Sequence, residues 1–402
     1  MSAALEPPAR LVFPPAGPDP AVTLIMVVYG GYRAALGSLR DLHAASGEGY
    51  EMMVVDNASP DGAGRRLQQV VEGAEFVMNE RNLGYGPAVN LAALRARGRY
   101  LGILNSDISP APGWLASLVD ALDGDPGAGA ATPVYLGPDG SVQEAGGLLD
   151  RDAYGYGYGD RLGPGAAEVG FARYVDYGSA AALLVRRRAF EAVGGFDARY
   201  GLGYYEDADL SFAMREMGYL TVLEPRSRVV HHGQASFTNR DRARQAGRNR
   251  RLFAERFAGQ LAGRPRLSRP PYDPHRELIV RDWWAPERFL VVDPDGSLGP
   301  LAAGIAQLRP LDRVTHLALR PTPRGEGPAG RFVEAGPGSA GAVPAWLAAR
   351  RNHYSVVVGG STAPGPVRAA LARTQPQAVR APVHSGDHAA PAVLAAAGLD
   401  RR

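Results

Sequence analysis

Carboxylates crowd the middle of one short stretch of the sequence, residues 190–219, which reads FEAVGGFDARYGLGYYEDADLSFAMREMGY. Asp197, Glu206, Asp207 and Asp209 stand there among apolar residues and glycines, at the start of a segment with helical spacing. Crowding acids in an apolar pocket raises the pKa of at least one of them, which suits a residue that takes a proton from a hydroxyl near neutral pH. The alternative interpretation is N-terminal capping of the helix by Asp207 or Asp209.

A second group of polar residues follows the apolar run YLGIL. Asn105 and Asp107 are two positions apart after this predicted strand, so both side chains point the same way and can hold a hard divalent ion by oxygen. Such an ion neutralises a departing diphosphate as a Lewis acid. Capping of the next helix by Asp107 is the alternative. A later predicted strand ends in His231 and His232, and alternation lets only one of them face the site.

Two further segments have the chemistry of a nucleotide site. Asp56 ends the run EMMVVD, where its carboxylate can accept a hydrogen bond from a pyrimidine N3–H or a ribose hydroxyl, or can make an Asx turn or helix cap. Residues 79–90, NERNLGYGPAVN, place Gly84 and Gly86 beside asparagines before a helix. Close backbone approach and the helix N-terminus favour a diphosphate there, although a tight turn needs the same glycines.

The elements that position these residues alternate in type. From residue 22 onward, short apolar runs of strand length are separated by amphipathic stretches, which predicts a mainly parallel sheet covered by helices on both faces. Ligands of such sheets gather beyond the carboxyl ends of the strands, where Tyr29, Asp56 and Asn105 stand. Residues 132–178 are rich in Gly and Tyr and predict either a mobile loop region or a lid or acceptor-binding surface.

At 402 residues the chain predicts two or three domains. We expect a flexible lead-in over residues 1–21, a first α/β domain over 22–260, a linker over 261–285 and a small α/β Rossmann-like domain over 286–402. The segment RDRARQAGRNRRLFAERFAGQL predicts a basic amphipathic helix. A solvated charged face is the expected role of that helix, with a membrane-surface or acceptor contact as the alternative.

Composition narrows the classes of function. The chain has no cysteine, which excludes disulfides, thiolate metal sites and thiol nucleophiles, and its net charge of +3 does not call for a nucleic-acid partner. The apolar runs fall short of the roughly 20 residues that cross a bilayer. We therefore expect a soluble cytoplasmic protein with no transmembrane segment and at most peripheral contact with a membrane.

Taken in order, the motifs resemble those of inverting nucleotide-sugar glycosyltransferases of family 2 with the GT-A fold, particularly the rhamnosyltransferase-like branch. The likeness covers about residues 22–260 and rests on VVYGGY, VVDNASPDG, NERNLGYGPAVN, LNSD, GGFDARYGLGYYEDADLSFAMREMGY and VVHHGQAS. It implies a mixed, mainly parallel sheet flanked by helices. It also implies transfer of a sugar, with a rhamnose-like deoxyhexose favoured, from a dTDP- or UDP-linked donor to a hydroxyl of a glycan or secondary metabolite.

The resemblance assigns roles to individual residues. Asp207 is the general base with Glu206 beside it, and Asp107 with His231 binds Mg²⁺ or Mn²⁺. His231 is preferred to His232 because Gly233 sets the register of the family's histidine motif. Acceptor binding falls to Tyr205 and Asp209, and donor binding falls to Tyr29, Asp56, Asn82, Gly84, Asn90, Asn105 and Ser106. Asn105 replaces the first acid of the family's DxD motif, which predicts a weaker grip on the metal.

The last part of the chain, from RFLVVDPDGS onward, resembles the opening elements of a GT-B-like module and is too short for a donor-binding half. We expect it to do no chemistry and to serve packing, homodimerisation or acceptor guidance. Two other functions are weighed against the transferase. A non-catalytic sugar-nucleotide-binding scaffold would lack the acids at 107 and 207, and a nucleotidyltransferase would carry a basic phosphate-gripping loop near the first strand, where only Arg33 stands.

Overall fold

We describe the protein from a computed structural model, which covers residues 10–160, 162–233, 239–266, 281–282, 285, 287–308, 312–319, 333–337, 341–350, 353–359, 363–381, 390–397 and 399. The chain divides into two compact units. The first contains residues 10–163 and 174–262, and the second contains residues 164–173 and the described part of 263–402. Residues 267–280, most of the predicted linker, lie outside the described residues.

The strands up to residue 231 are, in chain order, β1 (Leu11–Val12), β2 (Val22–Val28), β3 (Tyr50–Asp56), β4 (Val71–Glu72), β5 (Glu75–Met78), β6 (Tyr100–Leu104), β7 (Ile108–Pro110), β8 (Ala128–Leu136), β9 (Val142–Glu144), β10 (Gly147–Leu149), β11 (Gly155–Gly157), β12 (Arg173–Val175), β13 (Ala182–Arg186) and β14 (Leu220–His231). The main sheet has the order β12-β14-β8-β13-β6-β2-β3-β5, with β7 beside β14 and β9 beside β8. β13 is antiparallel to both of its neighbours, whereas β5, β3, β2 and β6 are mutually parallel. The predicted mixed α/β sheet is confirmed.

The helices of the first unit are α1 (Tyr32–Ala45), α2 (Ala63–Gln68), α3 (Tyr85–Ala93), α4 (Trp114–Asp123), α5 (Arg187–Ala192), α6 (Glu206–Glu216), α7 (Asn239–Arg256) and α8 (Ala258–Leu261). One sheet face packs on α3, α5 and α6, because the apolar side chains of β2, β3 and β6 that point there bury against the apolar sides of these helices. Leu210 and Met214 of α6 belong to this core. Met217 has the same helical spacing in the sequence, but it follows the end of α6 and is exposed.

The polar ends of the parallel strands meet at one edge of the sheet. β2 is paired with β3 on one side and with β6 on the other, so the connections leaving these strands diverge at its carboxyl end. Such a divergence opens a crevice that α/β proteins use for ligands. Tyr29, Asn57 and Asn105, which follow the three strands, stand at this crevice.

The region predicted as loop or acceptor surface contains regular structure. β8 is a central strand of the main sheet, although its sequence, AGAATPVYL, lacks the β-branched run that identified the other strands. Ala and Gly suit that position because the strand is covered on both sides: a side chain at Gly129 would clash with Tyr219. β9, β10 and β11 follow as short strands beside the cavity described below.

The second unit is built on a parallel sheet of the order β17-β16-β15-β18-β19, formed by β15 (Arg288–Asp293), β16 (Arg313–Ala318), β17 (Val333–Ala335), β18 (Val356–Val358) and β19 (Val379–Ala381). Its helices are α9 (Gly299–Leu308), α10 (Val343–Ala349), α11 (Gly365–Thr374) and α12 (Ala390–Ala396). Apolar clusters lie on both faces of the sheet. The carboxylate of Asp293, at the end of β15, accepts hydrogen bonds from the N–H groups of residues 296–298 and contacts His316, so it holds its own loop.

Within the described part of the chain, none of the helices is both long enough and apolar enough to span a bilayer. The longest helix of the first unit, α7, is rich in arginine instead.

Candidate active site

A cavity of about 770 Å³ opens at the crevice beyond β2. This volume lies in the range of roughly 300–1,000 Å³ that small-molecule sites occupy. Among the predicted site residues, the lining contains Tyr29, Asn82, Asn105, Ser106, Asp107, Tyr205, Glu206, Asp207 and His231. Residues from five separate segments of the sequence therefore converge on one cavity.

One wall of the cavity is the loop before α3, and its shape is fixed by Asn57. The amide of Asn57 donates to the side-chain oxygen of Asn82 at 2.9 Å, and its own oxygen accepts from the N–H of Leu83 at 3.0 Å. Gly84 lies outside the lining, but it has φ +91°, and a Cβ there would stand 2.1 Å from the carbonyl oxygen of Gly201. Only glycine permits this approach of the two loops. Asn57 is buried, and its place at a strand end is the signal that identifies it.

A second wall carries the predicted metal ligands. His231 Nε2 lies 3.5 Å from Asp107 Oδ1 and 3.5 Å from the side-chain nitrogen of Asn105. The pairing of β14 with β7 brings His231 opposite Ile108, next to Asp107 in sequence. His232 points away and contacts the hydroxyl of Ser109 at 3.0 Å. Strand alternation thus selects one histidine for the cavity, as the sequence predicted, and that histidine is His231.

The third wall begins at α6, where Glu206 and Asp207 face the cavity. Burial and the neighbouring charge of Asp207 raise the pKa of Glu206 to about 8. Within the described chain, no group hydrogen-bonds to the buried Oε2 of Glu206. Burial also raises the pKa of Asp207, but the N–H groups of Ala180 and Ala208 donate to its carboxylate at 3.3 and 2.8 Å and oppose that rise.

These two environments decide which of the two acids keeps a shared proton. Hydrogen bonds from N–H groups stabilise a carboxylate, whereas an apolar pocket without donors stabilises the neutral acid. When the pair holds a single proton, Glu206 is therefore the acid that keeps it and Asp207 is the one that carries the charge. An ionised carboxylate in a buried site is the form that accepts a proton from an alcohol.

Glu144, at the end of β9, is a third acid in the cavity and was missed by the sequence analysis. Burial and the charge of Asp207 raise its pKa to about 8, and its buried Oε1 has no hydrogen-bond partner among the described residues. Gln143 and Tyr177 line the same side. The available signal was a lone acid in the segment SVQEAGG, inside the region interpreted as loop or acceptor surface.

The phenol of Tyr85 connects the walls. Tyr85 begins α3, lines the cavity and donates to the carbonyl of Ala180 at 2.7 Å. Its pKa is raised well above its ordinary value by burial and by the charges of Glu206, Asp207 and Asp107. One half-buried side chain is thus close to the acids of both walls. Tyr205, also in the lining, donates to the carbonyl of Ala153 at 2.6 Å.

Three other predicted site residues lie outside the cavity lining. Asp56 is buried and accepts from the N–H of Ser59 at 3.3 Å, which is the local turn that the sequence left open as an alternative. Asn90 exchanges two hydrogen bonds with the backbone of Phe196, so its amide anchors α3. Asp209 is buried against the hydroxyl of Tyr200 and the guanidinium of Arg256.

The loop leading into α6 is held by α7. The buried amide of Asn249 donates to the carbonyls of Tyr200, Gly203 and Tyr204 at 2.8–2.9 Å. Tyr204 and Tyr205 both have positive φ, of 72° and 73°, which L-residues rarely adopt. The contacts with α7 stabilise this strained backbone and so place Glu206 and Asp207 at the cavity. Sequence analysis missed Asn249, because the basic character of α7 gave no sign of an internal amide contact.

Comparison with known proteins identifies the family. The model of "Glycosyl transferase family 2" matches residues 23–170. The chain is also 33% identical over 233 residues to the N-acetylglucosaminyl-diphospho-decaprenol L-rhamnosyltransferase of Mycobacterium tuberculosis, a match that covers 51% of this chain and 73% of that protein. The chain belongs to glycosyl transferase family 2. It is accordingly a glycosyltransferase with rhamnosyltransferase-like relatives and a GT-A-like fold, as the motifs predicted.

More distant similarities cover less of the other protein. The O-antigen biosynthesis protein RfbC of Myxococcus xanthus is 31% identical over 206 residues, which are 49% of this glycosyltransferase and 15% of that protein. The crystal structure of GalNAc-T7 with UDP, GalNAc and Mn²⁺ matches with a TM-score of 0.46 and 18% identity over 55% of this chain and 45% of that one.

Proposed function

We propose that this glycosyltransferase is inverting and metal-dependent and moves a sugar, with a rhamnose-like deoxyhexose favoured, from a dTDP- or UDP-linked donor to a hydroxyl of a glycan or secondary metabolite. The observation that carries the proposal is a single cavity with Asp107 and His231 on one wall and the Glu206–Asp207 pair on another. Two relatives, a rhamnosyltransferase and an O-antigen biosynthesis protein, support the choice of sugar and favour a glycan acceptor.

The residues on the Asp107 wall fit a hard divalent ion that is shared with a substrate. Mg²⁺ prefers oxygen ligands at roughly 2.0–2.1 Å, which puts neighbouring ligand atoms about 3 Å apart, close to the 3.5 Å between Asp107 and His231. Among the described residues, no cluster of three or more His, Asp or Glu side chains forms a complete cage. A site with two protein ligands suits a metal that is also bound by substrate phosphates. Asp107 and His231 would hold it, with Asn105 beside them, and it would supply charge neutralisation at the leaving diphosphate.

The chain's own groups perform the rest of the reaction. The acceptor hydroxyl approaches C1 of the sugar from the side of Asp207, and its proton passes to the Asp207 carboxylate as the new C–O bond forms. The bond from C1 to the diphosphate oxygen breaks on the opposite face, and its electron pair leaves with the nucleoside diphosphate. Attack opposite the leaving group inverts C1. Glu206, which keeps its proton, adds no second negative charge beside the base.

A panel of nucleotides tests this proposal. The full-length protein is heated with UDP, dTDP, GDP or ADP, each with and without Mn²⁺ or Mg²⁺, because a ligand that binds only the folded state raises the melting temperature. We expect the largest rise with UDP or dTDP plus metal, and a smaller rise with Asp107→Asn. A preference for a purine nucleotide, or equal shifts without metal, would contradict the donor and metal assignments.

A second measurement separates a transferase from a binding scaffold. With the preferred sugar nucleotide and no acceptor, a transferase slowly releases nucleoside diphosphate to water. A scaffold binds the same donor and releases none. We expect release that depends on metal and falls in Asp107→Asn.

A further inference from the structure

One stripe of α7 carries three arginines that the cavity chemistry does not use. Arg244, Arg248 and Arg251 are spaced by four and three residues and so share one side of the helix, with Asp241 and Gln245 alongside. Like charges at this spacing repel one another. An anion bound against the stripe would reduce that repulsion.

These side chains line a second cavity, of about 690 Å³. The lining contains these three arginines and one acid, Asp241, so its described residues carry a net positive charge. The opposite side is formed by Leu202 and Tyr204, which are 44% and 37% exposed. Both residues also line the catalytic cavity. The arginine groove, as we call this second cavity, is thus separated from Glu206 and Asp207 by one short loop.

Two of the three arginines have guanidinium groups that are available to bind a ligand. Arg248 donates to the carbonyl of Arg199 and to the side chain of Asn249, so it is part of the support of the loop. Arg244 and Arg251 form no hydrogen bond or ion pair with any other residue that the structure describes. Guanidinium groups in this state bind phosphate oxygens in a bidentate manner.

We propose that the arginine groove binds a phosphate or diphosphate ester carried by the acceptor, with Leu202 against the apolar part of that molecule. This inference rests on the proposed function, because it takes the neighbouring cavity to be the place where the acceptor hydroxyl is deprotonated. The donor diphosphate belongs to the wall of Asp107 and His231, whereas the groove adjoins the wall of the base. A concave site that shares two residues with the catalytic cavity favours a substrate group over a flat membrane surface.

Binding of two phosphate probes tests the groove. The full-length protein is first saturated with the nucleoside diphosphate and metal found in the panel above, which occupies the donor site. Inorganic pyrophosphate and dodecyl phosphate below its micellar concentration are then titrated by calorimetry. We expect Arg244→Gln/Arg251→Gln to weaken the binding of both probes at least tenfold, since hydrogen bonds to charged groups contribute about 1.5–3 kcal/mol each.

The matched control is Arg95→Gln/Arg99→Gln, which removes the same charge from exposed surface ion pairs at the other end of the strands. It should bind the probes like the wild type. Nucleotide binding and donor hydrolysis should be the same in both variants as in the wild type. If the wild type itself shows neither, the proposed function is overturned, and not the groove alone. Equal probe binding by Arg244→Gln/Arg251→Gln and the wild type would overturn the groove. Binding of anionic phosphatidylglycerol vesicles without binding of either probe would also overturn it, in favour of a membrane contact.

Discussion

The acidic segment of residues 197–209 has two sides with opposite electrostatics. Glu206 and Asp207 face the cavity, with no cationic side chain within ion-pairing distance in the described structure. Asp197 and Asp209 face α7, where both contact the guanidinium of Arg256 at 3.0 and 2.6 Å. The partners on the α7 side oppose the effect of burial. The hydrogen bond from Arg199 lowers the pKa of Asp197. Burial raises the pKa of Asp209 to about 6, although Tyr200 and Arg256 act to lower it.

The difference shows that partners, and not local sequence, decide what a buried carboxylate does. An ion-paired acid is held in one place and contributes to the fold. A buried acid without a cation has no such partner to oppose the rise in its pKa, so it can exchange a proton near neutral pH. Substitutions on each side should therefore separate an effect on turnover from an effect on stability.

The largest effect is expected for Asp207→Asn. A positioned general base contributes typically 10²- to 10⁴-fold, so turnover should fall by about that factor, while donor binding stays intact. Release of nucleoside diphosphate in the presence of acceptor measures the first, and nucleotide-induced thermal shift measures the second. Asp197→Asn is the matched control, with the same chemical change on the α7 side, and it should turn over like the wild type. Full turnover by Asp207→Asn would show that Asp207 is not the general base.

A smaller and different effect is expected for Asp209→Asn. The substitution weakens the contact with Arg256 and the hydrogen bond from Tyr200, which should cost about 1–3 kcal/mol of unfolding free energy. The midpoint of urea unfolding, followed by tyrosine and tryptophan fluorescence, measures that loss. Turnover of the folded enzyme should change far less than in Asp207→Asn. A variant with normal stability and lost turnover would instead place Asp209 with the acceptor, as the family resemblance implied.

The third effect, which appears only when the pH is varied, concerns the proton on Glu206. Its pKa is about 8 in the folded protein and ordinarily 4.5, so the native state holds a proton that the unfolded chain releases between these values. Stability should therefore fall as pH rises from about 5 to about 8. Glu206→Gln removes this titration while keeping a neutral side chain of the same shape. Its melting temperature should exceed that of the wild type increasingly as pH rises, whereas parallel curves would mean that Glu206 is already ionised.

Much of this architecture could be predicted from the sequence. The apolar runs that end at Val28, Asp56 and Leu104 identified three neighbouring parallel strands, because a strand buried on both faces is continuously apolar. The position of polar residues directly after those runs then located the cavity. The prediction that only one of the two histidines faces the cavity followed from the two-residue period of a strand.

Other features depend on contacts that the sequence does not display. The partner of Asp209 is Arg256, 47 positions away, and Glu144 belongs to a region without strong periodicity. One signal was present and not used: two residues turn a helix by about 200°, so Asp207 and Asp209 cannot point the same way. The Ala-rich strand β8 was missed because close packing on both faces requires small side chains there, and these residues have little intrinsic preference for strands.

The amide of Asn249 has a consequence for how this enzyme can change. It grips backbone carbonyls of residues 200, 203 and 204, so the course of the loop does not depend on the side chain at position 202. Exchanging Leu202 would reshape both cavities at once while the two acids of α6 stay where they are. Substrate choice and bond-making chemistry can thus be varied separately, and a library confined to that one position is the natural place to begin.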